Sequence, residues 1–199
     1  MAYLSRHERR EQIVNAVVDI VGREGLAAAT VRRIALELDC SPGQIHHHFA
    51  SAYALRAEAL RETWARLEPK LSKLLRSHPP RERLVILLGH KAATICPDLS
   101  DPLDVAKRLW SEAWDAREAV EVREEIAESL RRLHRVVLEA LLEGQESGAF
   151  AKTLDMQHVA SRLVASMHGL NMWEEMGLLG VFGQSRDEFV AELLAREGL

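Results

Sequence analysis

Twenty residues, Thr30 to Phe49, constrain the fold more than any other stretch: "TVRRIALELDCSPGQIHHHF". Thr30 is a residue type that caps a helix N-terminus. Val31, Ile34, Ala35 and Leu38 follow at the spacing of one helical face. The run is about nine residues long, too short to be stable without partners. "DCS" then turns the chain. Ser41 offers a second cap, Pro42 fits the first helical position, and Gln44 completes an S-x-x-Q capping box. Ile45 and Phe49, four apart, face inward. The preceding segment supplies a support: over 8–24, Ile13, Ala16, Val17, Ile20 and Val21 form one apolar stripe, and Gly25 suits the stop.

The remainder also reads as helical. Ser51 caps again, and a longer helix runs from about Ala52 into the seventies, with Pro69 expected to kink or split it. Helical patterns continue over 81–96, 103–117, 121–146, 155–177 and 185–197. Breaks fall at "SHPPRER", "PDLSDP" and "EGQESGAF". No Val/Ile/Thr-rich run alternates with period two, and 47% of the chain is apolar, enough for a core. The expected class is all-α, with an N-terminal helix-turn-helix domain over 1–51 and a C-terminal helical domain over 52–199. Composition shifts near residue 66, inside what reads as one helix. The N-terminal ten residues have no apolar core like a signal peptide, and no apolar run approaches the roughly 18 residues of a membrane span. The two cysteines, Cys40 and Cys96, are not a spaced metal pair. A reduced, cytoplasmic setting is expected, with Cys40 as a small buried apolar group.

His46, His47 and His48 are the next question. Successive helical residues project about 100° apart, consistent with 3.6 residues per turn, so the three cannot face one metal. Metal-binding helices favour His at i and i+4 or Glu-x-x-His pairs. No His pair here is spaced by four, and Asp155 with His158 is the one acidic-x-x-His match. No nucleophile motif and no Gly-rich phosphate loop appears. Neither a metal, a cofactor nor a catalytic role is expected. A helical enzyme is disfavoured, because no acid/base pair stands at useful spacing.

The other reading is geometric. Two short capped helices joined by a tight turn, the second too polar for a core, make a helix-turn-helix. Its second helix enters the major groove and presents its N-terminal residues to base edges. Those residues are Pro42, Gly43, Gln44, His46 and His47, with Thr30, Arg32, Arg33, Ser41 and Ser51 as flanking contacts. Gln pairs bidentately with adenine; the arginines suit phosphate. Bland roles remain open: Gln44 spent on the capping box, His48 packed beside Phe49, Arg32 and Arg33 as solvated charges. The net charge of −4 argues against nucleic acid in bulk. Residues 1–66 are near neutral, with nine Arg against eight Asp or Glu, so DNA binding would depend on local placement. A scaffold that binds other partners instead of DNA is the main alternative.

From Arg9 to Leu60 the chain resembles the N-terminal domain of TetR-family transcriptional regulators. The resemblance rests on Gly25, on Thr30, Val31, Ile34 and Ala35, and on Ser41, Gly43, Ile45, Phe49, Ser51 and Leu55. It implies an all-helical homodimer whose three N-terminal helices bind a palindromic operator. It also implies a C-terminal domain that binds a small effector and thereby releases the DNA, as in a repressor. Three positions depart from the family. His46 stands in place of a tyrosine and Ala52 in place of a lysine, both phosphate contacts. Asp39 replaces the turn glycine.

In the C-terminal part, "RLWSEAW" puts Trp110 and Trp114 four apart, and "SMHGLNMW" gathers Met167, Gly169, Leu170 and Trp173. Both segments loosely resemble the choline-responsive branch of the family, and aromatic faces attract quaternary ammonium. Trp64, Leu67, Leu71, Leu88 and His134 are further pocket candidates. The tryptophans could equally be core filler. Val159, Leu163, Met167 and Leu170 form a stripe that reads as a dimer surface, with burial inside the monomer as the alternative.

Overall fold

The computed structural model describes residues 5–199, and within them every regular element is helical. The order is α1 (Arg6–Glu24), α2 (Val31–Glu37), α3 (Pro42–His46), α4 (Ala52–Arg76), α5 (Pro80–Leu88) and α6 (Ala92–Ile95). Then follow α7 (Ser100–Asp115), α8 (Val120–Glu146), α9 (Met156–Glu175), α10 (Leu178–Val181) and α11 (Arg186–Arg196). The expected 81–96 helix is two. Its pattern breaks at Gly89 and at His90, whose φ of 54° no helix tolerates. Pro69 does not split α4, which runs unbroken through it. A proline costs one backbone bond and a local clash, and α4 is anchored on both sides of it by buried Leu67 and Leu75.

Contacts divide the chain into two compact units. One comprises the chain up to Pro69 together with Asp101–Ser129; the other comprises Lys70–Ser100 and Leu130–Leu199. The first division falls inside α4, close to the composition shift near residue 66. These are packing units, and they cut the chain differently from a functional division at 51/52.

In the first unit, Ile13, Val17, Ile20 and Val21 of α1 are buried together with Ile34 and Ala35 of α2, Ile45 of α3 and Phe49. α2 packs on α3 and α1 on α2. Gly25 ends α1 with φ 90°, where a side chain is strained, and a Cβ there would lie 2.8 Å from Glu112 Oε1. α7 reaches this corner with two side chains. Arg108 donates to the terminal carbonyls of Val21, at 3.1 Å, and Gly22. Glu112 accepts from the Leu26 amide. A helix end leaves carbonyls short of partners; the Val21 carbonyl also accepts from the Gly25 amide at 2.9 Å, and the α7 side chains add further bonds at this corner. Cys40 is half-buried, not buried, because it sits on the turn itself.

The second unit is built on α5, the C-terminal half of α8, α9 and α11. Leu84, Leu141, Leu163 and Leu194 are fully buried in its core. Phe150 folds back over Gly144, which has no side chain to obstruct the ring. Arg186 is buried and ties three helices. It donates to Leu88 O at 2.8 Å, Asn171 Oδ1 at 2.8 Å and Glu174 Oε2 at 2.9 Å.

Candidate nucleic-acid interface

Thr30 is extended and its hydroxyl accepts from the Arg33 amide at 3.2 Å, so it caps α2. Asp39, which stands in place of the turn glycine, adopts the left-handed conformation with φ 47°. Ser41 is extended, and Pro42 opens α3. The helix is one-sided. Ile45 and Phe49 are buried, whereas Ser41, Pro42, Gly43, Gln44, His46 and His47 are exposed. His48 is half-buried. Burial and then the nearby cations of Arg6, Arg9, His47 and Arg10 lower its pKa, so it stays neutral where an ordinary histidine would begin to charge. The three imidazoles do not converge, and no group of three or more metal-ligating side chains occurs among the described residues. Asp155 and His158, the acidic-x-x-His match, are a helix cap: the Asp155 carboxylate accepts from the His158 amide and sits 2.7 Å from its ring nitrogen.

The capping box of α3 does not form: the Ser41 hydroxyl caps no amide. Gln44 turns instead to α1, where its Oε1 accepts from Arg9 Nη2 at 2.9 Å. A charge-assisted bond of this kind is stronger than the neutral reciprocal pair. Arg9 also donates to Gln12 Oε1 at 2.6 Å. The next residue, Arg10, stacks 4.7 Å from the Phe49 ring centroid and pairs with Glu58 at 3.0 Å. Arg9 was missed in the sequence. Its signal was the "RHERR" run, from which Arg9 meets α3 only once α1 is docked.

The two α2 arginines are unlike. Arg33 is held between Glu24 at 2.7 Å and Glu37 at 2.8 Å, and hydrogen bonds to both carboxylates raise its pKa. Arg32 is exposed and finds no carboxylate partner among the described residues. Ser51 caps α4, accepting from the Ala54 amide at 3.0 Å, and donates to Glu121 Oε1 at 2.9 Å. Near the vacant lysine position at Ala52, Tyr53 is exposed and Arg56 lies over its ring at 5.3 Å.

The pocket candidates are divided between the two units. Trp64, Leu67, Trp110 and Trp114 belong to the first unit, and Leu71, Leu88, His134, Met167 and Trp173 to the second. Leu67, Leu88 and Met167 are buried as core. Trp114 is exposed, with Arg117 lying 5.7 Å from its ring. Trp173 meets Phe182 and Phe189 edge-on at 4.9 and 6.2 Å. His134 stands 3.2 Å from the Ser161 hydroxyl. The expected dimer stripe is corrected. Val159, Leu163, Met167 and Leu170 are all buried in the core of their own unit, so none is left for a partner. Their spacing marks the apolar side of α9, and α5, α8 and α11 cover that side.

No family model matches the chain. Among curated proteins, the regulator BetI of Vibrio parahaemolyticus is 34% identical over 71 residues, a match covering 36% of either chain. The chain therefore aligns with little more than a third of that relative's length. Solved structures match far more of it. A transcriptional regulator from Saccharomonospora viridis, in complex with choline, is 25% identical, covers 94% of each chain and has a TM-score of 0.66. A putative TetR-family regulator from Rhodococcus sp. is 22% identical, covers 96% of each and also has a TM-score of 0.66. The fold, from the N-terminal helix-turn-helix to the last helix, is that of TetR-family transcriptional regulators.

Proposed function

We propose that this chain, with its TetR-type fold, is a cytoplasmic, non-enzymatic DNA-binding transcriptional regulator, a repressor released from a two-fold operator by a small molecule. The observation that carries the reading is the one-sidedness of α3: Ile45 and Phe49 hold it to the core, while Gln44, His46 and His47 project outward. Such a helix has the polarity needed to lie in a major groove. Thr30, Arg32, Ser41 and Ser51 lie on the segments flanking it, where phosphates would be met. The test is selection from random duplex DNA, followed by affinity measurement on the enriched site. Gln44→Ala and His47→Ala should each weaken specific binding by about 1–3 kcal/mol. If no sequence is enriched, the chain is a scaffold for other partners.

The effector reading is a small quaternary ammonium compound. Its support is the choline bound by the Saccharomonospora regulator, together with the tryptophans available here for cation–π contact. The dimer reading moves to another surface. With the apolar side of α9 buried, the faces left open carry Ala165 and Met172 on α9 and Ala191 and Ala195 on α11. Small side chains let helices approach closely, and a two-fold axis would pair the same patch with itself.

A further inference from the structure

We infer that Arg9, on α1, sets which base Gln44 reads, turning an adenine reader into a guanine reader. The inference rests on the DNA-binding reading of α3 and adds to it a specificity-determining residue outside the helix-turn-helix.

A free glutamine side chain recognises adenine with both ends of its amide: the oxygen accepts from N6 and the nitrogen donates to N7. In this chain the amide is already engaged. Arg9 Nη2 lies 2.9 Å from Gln44 Oε1. Arginine carries five N–H donors and no acceptor, so the amide facing it must present its oxygen. What Gln44 then offers outward is its NH2 group, a donor. Guanine answers with N7 and O6, two adjacent acceptors on its major-groove edge. The amide oxygen keeps a second lone pair. An adenine amino group using it would approach beside a guanidinium, donor against cation, whereas guanine O6 brings partial negative charge to the same place.

Charge supports the same assignment. Arg9 is held by two neutral amides, Gln44 and Gln12, the latter at 2.6 Å. Arg10 beside it is matched by Glu58, and Arg33 by Glu24 and Glu37. The Arg9 charge therefore remains uncancelled beside the exposed edge of α3. The Gln12 bond also fixes the guanidinium in place, so it constrains Gln44 before any DNA arrives.

The experiment is selection from random duplexes with wild type, Gln44→Ala and Arg9→Ala, followed by competition binding on sites differing at one base pair. The position read by Gln44 is the one whose preference disappears in Gln44→Ala. Wild type should prefer guanine there, and Arg9→Ala should prefer adenine, with the guanine-to-adenine affinity ratio falling roughly 5- to 150-fold, the span of one bidentate contact. Unchanged melting of Arg9→Ala would show that the shift is not unfolding. If Arg9→Ala weakens all sites equally and keeps the wild-type base, Arg9 is a phosphate contact and the proposal is overturned by itself. A wild type that enriches no sequence overturns the regulator reading and this proposal together.

Discussion

The two adjacent arginines of α2 should behave differently when removed, although the sequence makes them look equivalent. Arg33 shares hydrogen bonds with Glu24 and Glu37, and Glu37 takes a further bond from Arg23 at 2.8 Å. The cluster of two guanidiniums and two carboxylates has no net charge. A phosphate approaching Arg33 meets a cation whose field its neighbours cancel, and to bind it would have to displace a carboxylate. Arg32 is exposed and has no such neighbour among the described residues. Binding to DNA releases counterions, and each neutralised phosphate adds about 0.9 to the salt slope. Between 50 and 200 mM salt, one such contact changes affinity about 3.5-fold. Arg32→Ala should therefore lower the slope by about one unit per subunit in contact, whereas Arg33→Ala should leave it nearly unchanged. Glu24→Gln with Glu37→Gln should do the opposite of a deletion, freeing Arg33 and raising the slope. The assay is fluorescence anisotropy with a labelled duplex of arbitrary sequence over that salt range, which needs no knowledge of the operator. A slope that falls by one for Arg33→Ala and not for Arg32→Ala would refute the charge-cancellation argument.

Two further outcomes concern the second unit. Gly144→Ala puts a methyl group into the Phe150 ring, which is 4% exposed. It should destabilise by about 1–3 kcal/mol; in a Phe150→Ala background it should be neutral or stabilising by up to about 1 kcal/mol, as alanine is the better helix former. A urea-denaturation double-mutant cycle measures the difference, and equal costs in both backgrounds would contradict the contact. Burial lowers the pKa of His168 from the usual 6.5. Below that value the unfolded chain takes up the proton first, so the stability owed to neutral His168 is complete above pH 6.5 and lost as pH falls. Melting temperature should drop on acidification more steeply for wild type than for His168→Gln; parallel curves would remove the effect.

The sequence specified the helix-turn-helix well because its signals are local. Thr30, Asp39, Pro42 and Ser51 each act within a few residues of their own backbone, and each behaves in the structure as its chemistry requires. Gln44 was the local signal that failed. Its spacing from Ser41 fits a capping box, but a cation 35 residues away wins its oxygen. The same limit explains α9. A stripe at Val159, Leu163, Met167 and Leu170 shows that one side is apolar, and periodicity does not say whether the chain itself or a second copy covers it. The core settles the matter in favour of the chain. Trp110 and Trp114 pose a similar problem. Their four-residue spacing places them along one side of α7, yet Trp114 is exposed, with Arg117, three residues on, lying over its ring.

A chain of net charge −4 is an unpromising DNA ligand if charge is averaged over it. The relevant quantity is which cations are left without a carboxylate. In the first 66 residues, Arg10, Arg23, Arg33, Arg61 and Arg66 are each paired with glutamate. Arg6, Arg9 and Arg32 have no carboxylate partner among the described residues, and Arg56 is turned to the Ala27 carbonyl and the Tyr53 ring. Arg6 and Arg9 lie close enough to His48 to depress its pKa, so at least these two act on the segment that carries α3. Pairing thus cancels most of the charge on these helices and leaves that of Arg6 and Arg9 uncancelled beside the segment that carries α3. On the proposed DNA-binding function, acidic residues elsewhere would favour discrimination: they would weaken attachment to arbitrary polyanions without touching the few contacts that set register on a duplex.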